Sequence, residues 1–211
     1  MRKPACFALM IALSWPLFAA AGAYEDMMKA ISIDDHATVA SLLQRGMDAD
    51  TVNQKGDTLL ILAAREGKPE VVRAILARKP KVNARNPYGE TALMLAALKG
   101  YPQIVKLLLD HGAGVNKEGW TPLMYAAASN QLDIARLFLA RGAQVNASAE
   151  NGTTALMMAA REGHLPMVLL LLENGADINH HTPYGYTALA VAREHGRRDV
   201  VDMLIKAGAK D

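Results

Sequence analysis

Apolar residues along this chain come in short bursts at helical spacing, each opened by a threonine and followed by a glycine or asparagine. Five runs align: DTLLILAAREGKPEVV from Asp57, ETALMLAALKGYPQIV from Glu90, WTPLMYAAASNQLDIA from Trp120, TTALMMAAREGHLPMV from Thr153 and YTALAVAREHGRRDVV from Tyr186. Their threonines, Thr58, Thr91, Thr121, Thr154 and Thr187, lie 33, 30, 33 and 33 residues apart. Each run continues into an aliphatic stretch and a turn, as in LLLDHGAGVN from Leu107, LFLARGAQVN from Leu137 and LLLENGADIN from Leu170. Upstream, SLLQRGMDAD from Ser41 has the same form. Self-similarity at such a period marks stacked units, none of which can bury its apolar face alone.

The pattern predicts two helices per unit. The threonine is placed to cap the first helix, its side-chain oxygen accepting an orphan backbone N–H, and Pro122 stands at a first helical position, where no N–H is needed. Gly67, Gly100, Asn130, Gly163 and Gly196 fall where that helix must stop, and all tolerate a left-handed cap. Pro69, Pro102 and Pro166 open the second helices, which Gly46, Gly112, Gly142, Gly175 and Gly208 close. In the unit 89–118 the apolar set is Leu93, Met94, Leu95, Leu98, Ile104, Val105, Leu107, Leu108, Leu109 and Val115. The chain divides into a leader at 1–23 and six units at approximately 24–55, 56–88, 89–118, 119–151, 152–184 and 185–211. The end units are expected to be polar caps: Asp34, Asp35 and His36 mark the first, and Arg197, Arg198 and Asp199 the last.

The T-x-L-x-x-A-A/R runs, the mid-unit Gly or Asn and the G-A-x-x-N turns resemble the ankyrin repeat family across everything downstream of the leader. The resemblance implies an all-α solenoid of about six helix-turn-helix units joined by hairpin-like finger loops. It also implies a partner-binding role for the finger tips, the residue before each threonine and the pair after each Ala-Ala. Those positions here are Asp57, Arg65, Glu66, Tyr88, Glu90, Lys99, Trp120, Ser129, Glu150, Thr153, Arg161, Glu162, Tyr184, Tyr186, Arg193 and Glu194. They mix both charge signs with four aromatics, the residue types found at interface hot spots. In three respects the chain departs from the family. The histidine of the T-P-L-H tetrapeptide is replaced by Ile61, Met94, Met124, Met157 and Ala190, so apolar packing, much of it methionine, must stand in for its hydrogen bonds. Lys79-Pro80 occupies the place of a closing glycine, so the second helix of that unit should end differently. The short connection from Asn116 to Trp120 predicts a truncated finger, with Trp120 on the recognition side.

Residues 1–23 read as an export signal. Arg2 and Lys3 form a positive start, an apolar stretch runs from about Ala5 to Phe18, and Ala19-Ala20-Ala21 and Ala21-Gly22-Ala23 both fit the A-x-A cleavage pattern. Cleavage after Ala23 is the preferred reading, with Ala21 the alternative. A retained anchor competes with both, because Pro4 to Ala23 is uncharged over 20 residues, just enough to span a bilayer. Pro16 and the small residues favour processing. Cys6 precedes the apolar stretch, which speaks against a lipoprotein. No later run is long enough to cross a membrane, so the processed protein is expected to be soluble, off the membrane, and periplasmic or secreted.

Charge and chemistry then narrow the class. The full chain carries 23 Lys+Arg against 21 Asp+Glu, and losing Arg2 and Lys3 leaves 21 of each sign. No basic surplus remains to neutralise phosphates, which disfavours nucleic acid as a partner. Cys6 is the one cysteine, so the processed chain has no disulfide, thiolate nucleophile or zinc–thiolate site. Among His36, His111, His164, His180, His181 and His195, His164 matches the family's Gly-His step and reads as structural. His180-His181 are adjacent and lack metal-ligand spacing. No nucleophile elbow or P-loop appears, so no catalytic residue, metal or cofactor is expected. Nine methionines lie downstream of the leader; core filling accounts for them better than copper handling. Asn146-Ala-Ser and Asn151-Gly-Thr match the glycosylation sequon, the former as a by-product of the repeat turn. The sequence thus points to a monomeric, non-catalytic scaffold that binds a partner protein. Two competing roles are an inhibitor or immunity protein blocking an exported toxin or enzyme, and an accessory of a periplasmic redox or stress-defence enzyme. The first would call for a strong charge field for fast capture, which a neutral chain lacks. N-terminal sequencing of the protein from its native host is expected to start at Tyr24; a start at Met1 would refute the export signal.

Overall fold

The computed structural model describes residues 11–210, with side chains from Gly22 onward. Arg2, Lys3 and Cys6 of the expected leader lie outside the described residues. Twelve helices follow in order: α1 (Ile11–Ser32), α2 (His36–Gln44), α3 (Leu59–Arg65), α4 (Pro69–Leu76), α5 (Ala92–Lys99), α6 (Pro102–Asp110), α7 (Pro122–Ala128), α8 (Leu132–Ala140), α9 (Ala155–Glu162), α10 (Leu165–Glu173), α11 (Ala188–Glu194) and α12 (Arg198–Lys206). Consecutive helices pair, and the pairs stack in two layers. The odd-numbered helices form an inner layer and the even-numbered ones an outer layer, each packing on its counterparts in the next pair. Finger loops take the place of strands: among the described residues there are only isolated bridges, Val52 with Thr58 and Ser148 with Thr154.

The capping pattern appears at every expected position. Thr58, Thr91, Thr121, Thr154 and Thr187 each accept a hydrogen bond from the N–H three residues on. Thr91 carries a second bond: its own N–H donates to the Met94 sulfur at 3.4 Å. A thioether thus supplies, weakly, an acceptor at the position where the family's histidine would stand. The inner helices are only seven or eight residues long beyond α1, and such short helices do not persist unaided. Packing holds them. Ala63, Ala64, Ala96, Ala97, Ala126, Ala127, Ala159 and Ala160 are all buried between neighbouring inner helices, where a larger side chain would push the layers apart. Of the nine methionines, Met27, Met94, Met124, Met157, Met158 and Met167 are buried in the same core.

A polar ladder runs along the turns that follow the outer helices. The Asp50 carboxylate accepts from the Lys81 N–H at 2.8 Å. Asn83 accepts from the Gly114 N–H and donates to the Gly112 carbonyl. Asn116 does the same with Gln144 and Gly142, and Asn146 with Asp177 and Gly175. Asn179 accepts from the Lys210 N–H. Each rung satisfies turn backbone in the following pair. The Asn146 amide is committed to its rung, which removes the structural case for its sequon.

The ends are built as follows. On α1, Met27, Ala30 and Ile31 are buried against the stack, and all three lie downstream of the expected cleavage. Asp35 is not surface dressing: it caps α2, accepting from the Thr38 N–H at 3.0 Å and the Thr38 hydroxyl at 2.6 Å. At the far end α12 buries only Val200 and Leu204, while Arg198, Asp199 and Asp202 face solvent.

The different ending expected at Lys79-Pro80 is found, within a common turn. The outer helix of that pair stops at Leu76, one residue short of its counterparts, while the left-handed position that follows is kept and a lysine occupies it, at φ +53°. Its N–H still donates to the Leu76 carbonyl. Pro80 has no N–H to make the bond that Ala113, Ala143 and Ala176 make to Leu108, Phe138 and Leu171. A β-carbon in left-handed backbone is strained by about 1–2 kcal/mol, partly offset by the greater freedom of glycine when unfolded. Lys79→Gly is therefore expected to raise the unfolding free energy by about 0.5–1 kcal/mol in urea titration; a loss of stability would mean the strain is absent.

Candidate partner-binding face

The inner helices and finger loops form one side of the solenoid, and its two halves differ. In the N-terminal half a charged network ties neighbouring side chains to one another. Asp57, on the first finger, is 1% exposed and receives both terminal amino groups of Arg65, at 2.5 and 2.8 Å. Asn86, from the next finger, donates to Asp57 and to Glu90, both at 2.9 Å. Arg65 also lies 3.8 Å from the Glu90 carboxylate, which in turn accepts from the Tyr125 hydroxyl at 3.4 Å. Burial alone would raise the Asp57 carboxyl's pKa. The Arg65 and Asn86 hydrogen bonds and the Arg65 charge outweigh it, and the net displacement is downward. For Tyr125, burial and the adjacent Glu90 act in the same sense and push the phenol up to about 12.

Tyr125 links this network to the aromatic residues beyond it. Its ring meets Trp120 edge to face, 6.2 Å between centroids and 76° between planes. Trp120 stands at the end of the short finger, where the expected truncation is found. The other four fingers share a turn closed by backbone bonds, such as Asn86 N–H to the Glu90 carbonyl and Gly89 N–H to the Asn86 carbonyl. Residues 117–120 form no such turn. The Arg85 guanidinium props the loop instead, donating to the Glu118 carbonyl at 2.9 Å.

Around Trp120 the surface opens into connected hollows. One lobe, of about 290 Å³, is walled by Trp120, Tyr184 and Tyr186 over a floor of Met157, Met158 and Val191, with Thr153, Arg161 and His195 at its edge. A second, of about 270 Å³, lies between Leu98, Met124, Tyr125 and Ala128 and shares Trp120, Met158 and Arg161 with the first. On the finger side, Tyr88, Arg85 and Glu150 meet Trp120 in a third hollow. Trp120 therefore lines all three. Tyr88 and Tyr184, at finger tips, are each 80% exposed, and Trp120 is 38% exposed.

The sixteen residues singled out by sequence sort accordingly. Tyr88, Trp120, Glu150, Thr153, Arg161, Tyr184 and Tyr186 converge on these hollows. Asp57 is withdrawn from the surface into its ion pair and offers a partner nothing; Glu90 is tied into the same network. Arg65 and Glu66 border a separate hollow beside Tyr24 and Met28. Glu162 pairs with Arg161 at 2.9 Å. Lys99, Ser129, Arg193 and Glu194 line none of the hollows. Tyr125 and Leu98 were missed. Tyr125 had a readable signal: it is the one aromatic in a column otherwise filled by Leu62, Leu95, Met158 and Val191.

Histidines serve as braces. His164 Nε2 lies 3.1 Å from the Ala128 carbonyl of the preceding pair, as expected of a structural residue, and His180 Nε2 lies 3.1 Å from the Gly152 carbonyl. Among the described residues no three His, Cys, Asp or Glu side chains gather as a metal would require, and no helix is long and apolar enough to cross a membrane.

A stack of short helix pairs with one open, aromatic-lined side defines a repeat scaffold. The ankyrin-repeat family model matches three times, at residues 27–116, 78–149 and 142–211, and the chain belongs to the ankyrin repeat family. Repeats of this family mediate protein–protein interaction. No curated protein matches the sequence significantly.

The network makes a measurable claim. Asp57→Asn keeps the shape but leaves Arg65 without its partner, and is expected to cost about 2–4 kcal/mol of unfolding free energy at pH 7. Because the folded carboxyl titrates below its unfolded value, the increment is complete above about pH 4 and fades as pH falls further. Wild type and variant should therefore converge in acid; a gap independent of pH in denaturant titrations would assign the effect to packing instead.

Proposed function

We propose that this protein is a non-catalytic interaction scaffold, exported to the cell envelope, that grips a partner protein through its inner face and finger loops. The observation that carries this reading is where the aromatics lie. Eight aromatic residues follow Gly22, yet only Phe138 is in the core. Tyr88, Trp120, Tyr125, Tyr184 and Tyr186 gather around one set of connected hollows instead. Leu, Ile, Val, Met and Ala make up nearly all of the buried interior, and these rings stand at its edge or outside it. Large, rigid, amphipathic side chains that remain partly exposed are what an interface uses as anchors. Export is supported by the positive start, apolar stretch and small-residue end of residues 1–23.

The test is the triple variant Trp120→Ala, Tyr184→Ala, Tyr186→Ala, compared with wild type by chemical cross-linking in envelope extract of the native host. Each anchor is expected to contribute about 1–2 kcal/mol or more, so the cross-linked partner should fall at least about tenfold while circular dichroism stays unchanged. Undiminished capture would reject these anchors.

A further inference from the structure

We propose that the two lobes beside Trp120 together take one segment of the partner carrying two large apolar side chains with a carboxylate between them. This rests on the binding face argued above and names the chemistry of its occupant. The lobes are similar in size, about 290 and 270 Å³, and share a common wall of Trp120, Met158 and Arg161, so a single occupant reaches both only by presenting two prongs. Their interiors are aromatic rings and thioethers, surfaces that adapt to large apolar side chains.

The charge at the shared wall selects what joins the prongs. Arg161 borders both lobes, and among the described residues no carboxylate lines either. Its Nε donates to Glu162 at 2.9 Å, but Arg161 is exposed and Glu162 only half-buried, so the pair holds weakly. The two terminal amino groups of the guanidinium have no other acceptor among the described residues. An uncharged apolar occupant would cover this guanidinium without compensating it. A carboxylate accepts both terminal amino groups side by side, a short charge-assisted arrangement of defined direction. The occupant is therefore apolar at both ends and acidic in the middle.

The full chain carrying Trp15→Phe keeps Trp120 as its single tryptophan, so its emission reports from the wall between the lobes. The probes are acetylated, amidated peptides with Phe and Leu separated by one, two or three residues, one of them Glu and the remainder Ser. At least one spacing should shift the emission saturably. Affinity should fall about tenfold or more when Glu becomes Gln, and again when Phe or Leu becomes Ala. Arg161→Gln should bind Glu and Gln peptides alike while keeping the apolar part of the affinity, with its circular dichroism unchanged. Equal binding of the Glu and Gln peptides by the parent overturns the proposal. So does a Glu preference that survives Arg161→Gln, or absence of binding at every spacing. Decanoate is titrated alongside; if it displaces the peptide at the peptide's own concentrations, the site is for free amphiphiles and the proposal fails. Should the peptides fail while the triple alanine variant still loses its cross-linked partner, the face stands and only this chemistry falls. Failure of both removes the face as well.

Discussion

No helix pair in this chain can cover its own apolar surface, and the need to be covered by the next pair governs the rest of the molecule. The helices are too short to persist alone, so their stability lies in the interfaces between pairs. That explains why alanine pairs recur in four inner helices: Ala63-Ala64, Ala96-Ala97, Ala126-Ala127 and Ala159-Ala160 are buried, and only a small side chain lets the helices approach closely. It also explains the paired dressing of the ends, since the outermost pairs have a neighbour on one side only.

Close stacking raises a second demand, because turn backbone near the interface must still find hydrogen bonds. The ladder from Asp50 through Asn83, Asn116 and Asn146 to Asn179 meets it, and it sets the register of each pair on the next. The one short repeat shows how strict that register is. From the ladder residue to the capping threonine the chain takes eight residues in four units, as from Asn83 to Thr91, but five from Asn116 to Thr121. All three missing residues fall in the finger, outside both ladder and cap. Asn116 still makes both of its cross-pair bonds, and Thr121 still caps α7. The deletion changes the outline of the surface and leaves the stack alone.

Nearly all of the stack was readable from local chemistry. Threonine caps, prolines in first turns and glycines at helix ends are short-range signals, and the structure uses each at the residue expected. What escaped sequence reading was contact across units. The turn asparagines could be aligned, but their reach into the following pair depends on how pairs superpose. Asp57 looked like a surface residue because it precedes a threonine, as Glu90 and Tyr186 do. It is buried because Arg65, eight residues on, and Asn86, on another finger, both converge on it. At Lys79 the missing glycine did signal a different helix end, one residue early at Leu76, but not that the stack would still impose the common left-handed turn and leave the lysine to bear the strain.

The same cross-unit contacts decide where the surface is open. In the N-terminal half, Asp57, Arg65, Asn86 and Glu90 satisfy one another. The network ends on the Tyr125 hydroxyl, and the opposite edge of that ring fixes Trp120. Beyond it the position after the replaced histidine carries Met158 and Val191, too short or too flexible to fill the space that Tyr125 fills one unit earlier. With the adjoining finger cut short, no described residue covers Trp120 fully. An ion pair thus ends in a phenol, the phenol holds an indole, and the indole is held ready at the border of an unfilled apolar groove. Anchors fixed before binding lose less conformational freedom when a partner arrives, and the rigid half of the face is what fixes them for the open half.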